Sequence, residues 1–365
     1  ANPLLEHPIP DFAELERVLR GKREPRRVHL VELLIDEEIL QAIAERYLGT
    51  PWTPQIEETK ERYLQQLVTV YHRLGYDYVP VPQWPSQWAN HPPANWQEAS
   101  DTAELSRGQR RWAHEGYGLI CSWEDFELFP WDEIKPDLSV YEIAARNLPR
   151  GMKIAVETNF FEHVLETLLG YEGLFYMLHD GPDLVAQVFD RWGHKTDGFY
   201  QAVVDMEEVG ALFHADDLGF KTSTLVSPDI LRELFFPWLK RFAALAPEHG
   251  KMFWYPSCGN LYASGVIEDL IEDVQIDAFH SFQDIILPVA EFKARYGDCV
   301  ATLGGVDLDN LTRMDEAGLR GYVRDILAHC MPSGRFALGS GNSVTNYTPL
   351  RNYCIMVEES RRWSR

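Results

Sequence analysis

Acid–base chemistry needs ionisable side chains held close together, and the densest candidate in this chain is His214-Ala215-Asp216-Asp217-Leu218-Gly219. Two carboxylates forced into proximity repel, so one of them can titrate near neutrality and serve as a general acid or base. Either aspartate alone fits a backbone cap or an ion pair just as well, and only the group as a whole reads as functional. A second cluster, Tyr255-Pro256-Ser257-Cys258-Gly259-Asn260, offers a thiol that suits a soft ligand or a hydrogen-bonding wall, although cysteine is equally a small buried hydrophobe. His280, just before Ser281-Phe282-Gln283, adds an imidazole able to polarise a carbonyl, bind a metal, or sit satisfied in a core. Glycine-rich turns at Gly304-Gly305-Val306-Asp307 and Gly339-Ser340-Gly341-Asn342-Ser343 either bring backbone N–H groups to an anion or simply turn the chain. Neither is a Walker loop or a dinucleotide fingerprint.

These residues need a scaffold that gathers them. Short β-rich runs at 28–34, 77–80, 153–156, 210–213, 252–255, 276–279, 300–303 and 335–338 alternate with helical periodicity at 55–74, 162–171, 182–206, 227–246, 267–274, 289–296 and 316–330. Eight strands joined by crossover helices predict an α/β fold, a single (β/α)8 TIM-type barrel. Helix starts are marked at Ser227-Pro228-Asp229 and at Asp180-Gly181-Pro182, with proline where its missing N–H costs nothing. In such a barrel, polar residues directly after the strands converge on one rim. That filter selects Asp217, His280 and His214 as catalytic candidates, and Glu157, Asn159, Asp216, Tyr255, Cys258 and Asn342 as substrate contacts. It also passes Glu32, Ser257, Gln283, Asp307 and Ser340, whereas nine other histidines, among them His91, His114 and His163, receive no role. The stretch 80–131 differs in character: it holds Pro-Val-Pro and six tryptophans, and reads as a lid or insertion over the barrel after the second strand, with Trp123 as a further substrate contact. No repeat or linker divides the chain, so residues 1–365 are expected to form one domain.

Composition sets the outer limits. A chain of 365 residues with 45% hydrophobic and 12% aromatic content can bury a large core. Its 34 basic against 56 acidic residues give a net charge of -22 without a compensating basic run, which argues against nucleic acid as a partner. No apolar run has the length of a signal peptide core or a membrane span, so a soluble, cytoplasmic protein acting on a small molecule is expected. Five scattered cysteines without a Cys-x-x-Cys suit reduced thiols. Nothing in the composition fixes an oligomeric state.

In the order of its motifs the chain resembles the uroporphyrinogen-decarboxylase-like superfamily, which includes decarboxylases and corrinoid-linked methyltransferases. The matching segments are Asp36-Glu37-Glu38, Leu74-Gly75-Tyr76-Asp77, Trp123-Glu124-Asp125, Asp216-Asp217-Leu218-Gly219, Ser227-Pro228-Asp229, Ser257-Cys258-Gly259-Asn260, Gly304-Gly305-Val306-Asp307 and Gly339-Ser340-Gly341-Asn342. The resemblance implies the same barrel. Two departures narrow it. The decarboxylase's arginine-rich motif has no counterpart around 29–34, and the zinc methyltransferases' His-x-Cys-Gly, with a further Cys after the last strand, is replaced by Pro256-Ser257-Cys258-Gly259 and Ser340-Gly341-Asn342. The three-ligand zinc pattern is therefore not intact, and another metal set would have to draw on His214, Asp217, Cys258 and His280. The resemblance then implies methyl transfer from a small methylated compound to a corrinoid protein or a folate-type acceptor. Decarboxylation of a tetrapyrrole or small acid is the competing enzyme reading, and a catalytically silent ligand-binding barrel is the third.

Overall fold

The computed structural model describes residues 2–94, 96–113 and 116–363. Among these are nine strands: β1 (Tyr78–Pro82), β2 (Trp96–Ser100), β3 (Gln109–Ala113), β4 (Lys153–Thr158), β5 (Val209–His214), β6 (Met252–Pro256), β7 (Ala278–His280), β8 (Ala301–Val306) and β9 (Phe336–Ser340). Seven pair in parallel in the order β1-β4-β5-β6-β7-β8-β9, while β2 and β3 form a separate antiparallel hairpin. Every residue of β5, β6, β8 and β9 is buried, because helices cover one face and the barrel interior fills the other. The helix Pro228–Ile230 begins as its sequence dictates, with the Ser227 hydroxyl accepting from the Ile230 N–H.

The eighth position in the ring belongs to 28–35, which the sequence marks as a full strand. It meets β9 only at Leu30 and Leu338, with a second bridge from Ile35 to Val344. Gly339 permits this approach, because a Cβ there would stand 1.7 Å from the Val31 carbonyl oxygen. On the other side no backbone ladder joins the segment to β1. The Tyr78 side chain takes its place: its hydroxyl accepts from the Glu32 N–H at 2.9 Å and donates to the Glu32 carbonyl at 2.6 Å. A TIM-type barrel thus results, closed at one seam by a phenol.

The interior is packed solid. Trp254 of β6 lies edge-on to Tyr78 and Phe213, with centroids 5.2 and 5.3 Å away. Phe12 joins this stack at 6.0 Å from the helix Phe12–Leu19, which plugs the amino-terminal end of the barrel. Sequence periodicity missed that helix and also the terminal helix Leu350–Arg362. It placed one helix at 162–171 where the structure has Phe161–His163, a wide π-turn Val164–Leu168 and a separate helix Tyr171–Asp180. No helix among the described residues is long and apolar enough to cross a membrane.

Candidate active site

The turns after β5 and β6 meet through glycine. Gly259 has φ +101°, and a Cβ on it would lie 2.2 Å from the Gly219 carbonyl carbon, so both positions must stay bare for the loops to touch. The Asn260 N–H then donates to the Phe220 carbonyl at 2.8 Å. This contact brings Asp217 against Cys258, whose N–H donates to Asp217 Oδ1 at 2.7 Å. From the end of β9, Asn342 Nδ2 donates to Cys258 Sγ at 3.1 Å. Asp217, Cys258 and Asn342, widely separated in sequence, therefore stand in direct contact at the carboxyl rim.

Asp216 points the other way and is locked. Its carboxylate accepts from the Phe160 and Glu162 N–H groups at 3.1 and 2.8 Å and from His214 Nε2 at 2.8 Å. His214 Nδ1 in turn accepts from the Tyr200 hydroxyl at 2.6 Å. Burial raises the Tyr200 phenol far above its ordinary range, so it keeps the proton that it donates. Both nitrogens of His214 are occupied by protein partners, and its ring is fully buried. The geometry makes His214 a group that orients Asp216.

Asp216 and Asp217 border a cavity of about 160 Å³ whose wall also includes Leu33, Leu34, Trp84, Glu162, Ser281 and Asn342. Glu162 was not among the residues selected from the sequence. Burial first, then repulsion from Asp217, Asp216 and Glu166, holds its carboxyl well above the usual range. Asp217 is also raised, chiefly by burial, with the Cys258 N–H opposing the shift. Protons therefore reside on carboxyls beside this cavity at a pH where exposed aspartate and glutamate have lost theirs. Burial and the adjoining Asp217 charge likewise push the Cys258 thiol up, so it stays protonated.

His280 is wholly buried, and burial lowers it to about 4. Its Nε2–H donates to the Ser340 carbonyl at 3.1 Å, which leaves Nδ1 to accept from the Ser281 hydroxyl at 3.0 Å. The Ser340 hydroxyl donates to the Asn342 carbonyl at 2.8 Å and sits against Glu32 Oε2. With its one proton committed, that hydroxyl accepts from Glu32, whose carboxyl is raised to about 8 by burial. A chain of hydrogen bonds thus runs from Glu32 through Ser340 to the Asn342 loop.

The other expected residues are scattered around this centre. Tyr255 is buried behind Asp216, its hydroxyl 3.5 Å from the Asp216 carbonyl. Glu157 lies fully buried inside the barrel with neither carboxyl oxygen partnered, and burial lifts it far above its usual range. Asn159 lines a second cavity of about 460 Å³ together with Trp84, Trp96, Arg111 and Glu166. Trp123 stands apart on the helix Trp123–Leu128, half exposed and packed edge-on to Phe126. Asp307 caps the helix Leu308–Arg313 and borders a groove of about 560 Å³ that Gln283 and Asn342 share. His91 and His163, which received no role, join their Nε2 atoms at 3.1 Å, and His114 lies outside the described residues. Among the described residues no group of three or more His, Cys, Asp or Glu side chains is arranged to hold a metal ion.

No protein-family model and no curated protein matches the sequence. Among solved structures, the chain is similar to a methyltransferase from Methanosarcina mazei, with a TM-score of 0.70 and 15% identity over 97% of this chain and 99% of that one. An amidohydrolase from Burkhoderia ambifaria with bound zinc aligns over 93% of this chain and 80% of that one, at 11% identity and a TM-score of 0.33. The first likeness runs the full length of both chains and establishes a shared fold.

Proposed function

We propose that this chain is a methyltransferase that moves a methyl group from a small methylated oxygen or nitrogen compound to a corrinoid or folate-type acceptor. The observation that carries this reading is the acid-lined cavity at the rim, where Asp217 and Glu162 hold raised carboxyls beside the apolar wall of Leu33, Leu34 and Trp84. In an in-line displacement the acceptor's nucleophilic atom forms a bond to the methyl carbon while the bond to oxygen or nitrogen breaks. The electron pair leaves with that heteroatom, which takes its proton from Asp217. The apolar wall accommodates the methyl group, and Asn342 and Cys258 fix the acid from the far side. The groove beyond Asn342, about 560 Å³, gives the acceptor an approach.

Decarboxylation fits this lining less well. The small cavity is lined by no Lys or Arg, so a substrate carboxylate would find no cation there to hold it.

Incubating the protein with methylated donors and a reduced corrinoid, and following the cobalt absorbance, tests the reading directly. Methylation of the corrinoid is expected; carbon dioxide release from a porphyrinogen would support decarboxylation instead, and ligand binding without turnover a silent barrel. Asp217→Asn keeps an acceptor for the Cys258 N–H and removes the acid, so methyl transfer should slow by about 10²- to 10⁴-fold with the fold intact. Because the acid form is required, the wild-type rate should fall as pH rises through the raised Asp217 titration. The variant should lose that alkaline limb.

A further inference from the structure

Asn342, which backs Cys258 at the rim, is itself held by a hydroxyl. On either side of it the backbone is fixed: the Gly341 N–H donates to the Val306 carbonyl at 2.6 Å, and the Val344 N–H donates to the Leu34 carbonyl at 2.9 Å. Between these points the Asn342 carbonyl has one donor among the described residues, the Ser340 hydroxyl at 2.8 Å. That hydroxyl carries a single proton and touches a second oxygen, Glu32 Oε2, which is buried inside the barrel. A carbonyl can only accept, so the chain from Glu32 to Asn342 is complete only while Glu32 Oε2 brings a proton of its own. When Glu32 is ionised, the Ser340 proton turns to the carboxylate, because a hydrogen bond to a charged acceptor is about twice as strong as a neutral one. The Asn342 carbonyl is then left without a donor, and its peptide unit rotates to water between the two fixed points.

We infer that Glu32 is a positioning residue: its proton, through the Ser340 hydroxyl, holds Asn342 against Cys258 and thereby keeps Asp217 in place, and its loss releases the Asn342 turn. Only the link to methyl transfer rests on the function proposed above. The titratable groups facing Glu32 are mainly phenols: Tyr78 from β1, Tyr71 from the helix Lys60–Leu74, Tyr76 just after it, and Tyr353 from the helix Leu350–Arg362. Burial raises all four far above their ordinary range, so they stay neutral while Glu32 titrates. His280, bonded to the Ser340 carbonyl, is lowered by burial to about 4 and is neutral as well. Glu157, which shares Tyr71 and Tyr78 as neighbours, is likewise raised far above its usual range by burial. Burial lifts Glu32 to about 8, which puts the release on the alkaline side of neutrality.

Alkylation of Cys258 by iodoacetamide, read by peptide mass spectrometry, reports on the Asn342 turn without turnover, with the exposed Cys121 as internal standard. At about pH 6 wild type and Glu32→Gln should label Cys258 at equal rates, because glutamine donates to the Ser340 hydroxyl and accepts from its N–H as the protonated acid does. At about pH 9 wild type should label about three- to tenfold faster than Glu32→Gln, the effect of one lost hydrogen bond. Taking the ratio at each pH removes the rise in thiolate common to both. Ser340→Ala cuts the link and should label fast at both pH values. Parallel curves for wild type and Glu32→Gln, or slow labelling in Ser340→Ala, would overturn the inference. Above about pH 8 the wild-type rate of methyl transfer should fall more steeply than that of Glu32→Gln. Identical pH–rate profiles beside the expected labelling would detach Glu32 from the reaction. The expected labelling in a protein that transfers no methyl group would sink the reaction and leave the coupling standing.

Discussion

Asp216 and Glu157, near the ends of neighbouring strands, are both no more than 1% exposed, yet their surroundings are opposite. Two backbone N–H groups and the His214 imidazole converge on Asp216, whereas no hydrogen-bond donor of the described residues reaches the Glu157 carboxyl. The first arrangement fixes the Asp216 carboxyl at the rim and aims it. The second stabilises only the neutral acid, inside the barrel and away from the cavity lining. Burial alone therefore does not mark a working carboxyl in this fold; the donors around it do.

Removing the satisfied group should cost most. Asp216→Ala strands His214 and two amide groups in a dry site, and a loss of about 3 to 5 kcal/mol in unfolding free energy is expected from denaturant titration. A loss under about 1 kcal/mol would mean that water takes over those donors and that the contrast with Glu157 is smaller than drawn. Glu157→Met replaces a group that no donor reaches with one of similar volume, and should stabilise the protein by about 1 to 3 kcal/mol at neutral pH. Destabilisation there would place an ordered water or ion on Glu157.

An effect that is small near pH 5 sharpens the picture through pH. Glu32 has an intermediate environment, with the Ser340 N–H donating to Oε1 at 2.9 Å and its own proton donated to the Ser340 hydroxyl. Its folded value is raised to about 8 from the usual 4.5. The stabilisation it provides is complete below the unfolded value and is lost as pH rises through the folded one. Glu32→Gln keeps both hydrogen bonds and does not titrate. Its stability should match wild type within about 1 kcal/mol near pH 5 and exceed it by pH 9, and parallel pH curves would show that Glu32 stays charged in the fold.

Much of the frame was legible in the sequence. Seven of the eight β-rich runs coincide within a few residues with strands, because strands buried on both faces read as uninterrupted apolar stretches. The strand-end rule brought Asp217, Cys258 and Asn342 to one place, and the paired glycines after β5 and β6 were visible as turns. Glu162 and Glu166 escaped that rule, since they sit on a helix and not directly at a strand end. Their spacing of four with like charge and no basic partner was the available signal. The π-turn at Val164–Leu168 shifts the helical phase, so the face they present could not be read from a 3.6-residue period. Segment 28–35 misled in the opposite sense: it has strand composition, but Tyr78 supplies by side chain what a ladder would supply by backbone. Trp84 was noted within a tryptophan-rich excursion, and only its position between two cavities gives it meaning.

That phenolic stitch also bears on assembly. The segment synthesised before all seven ladder strands finds its backbone partner in β9, the last of them, and its other edge waits for one hydroxyl to arrive. Contacts so remote in sequence carry the greatest loop-closure penalty. The segment made before those strands is consequently among the last to be pinned, and completion of the hoop waits until β9 is available.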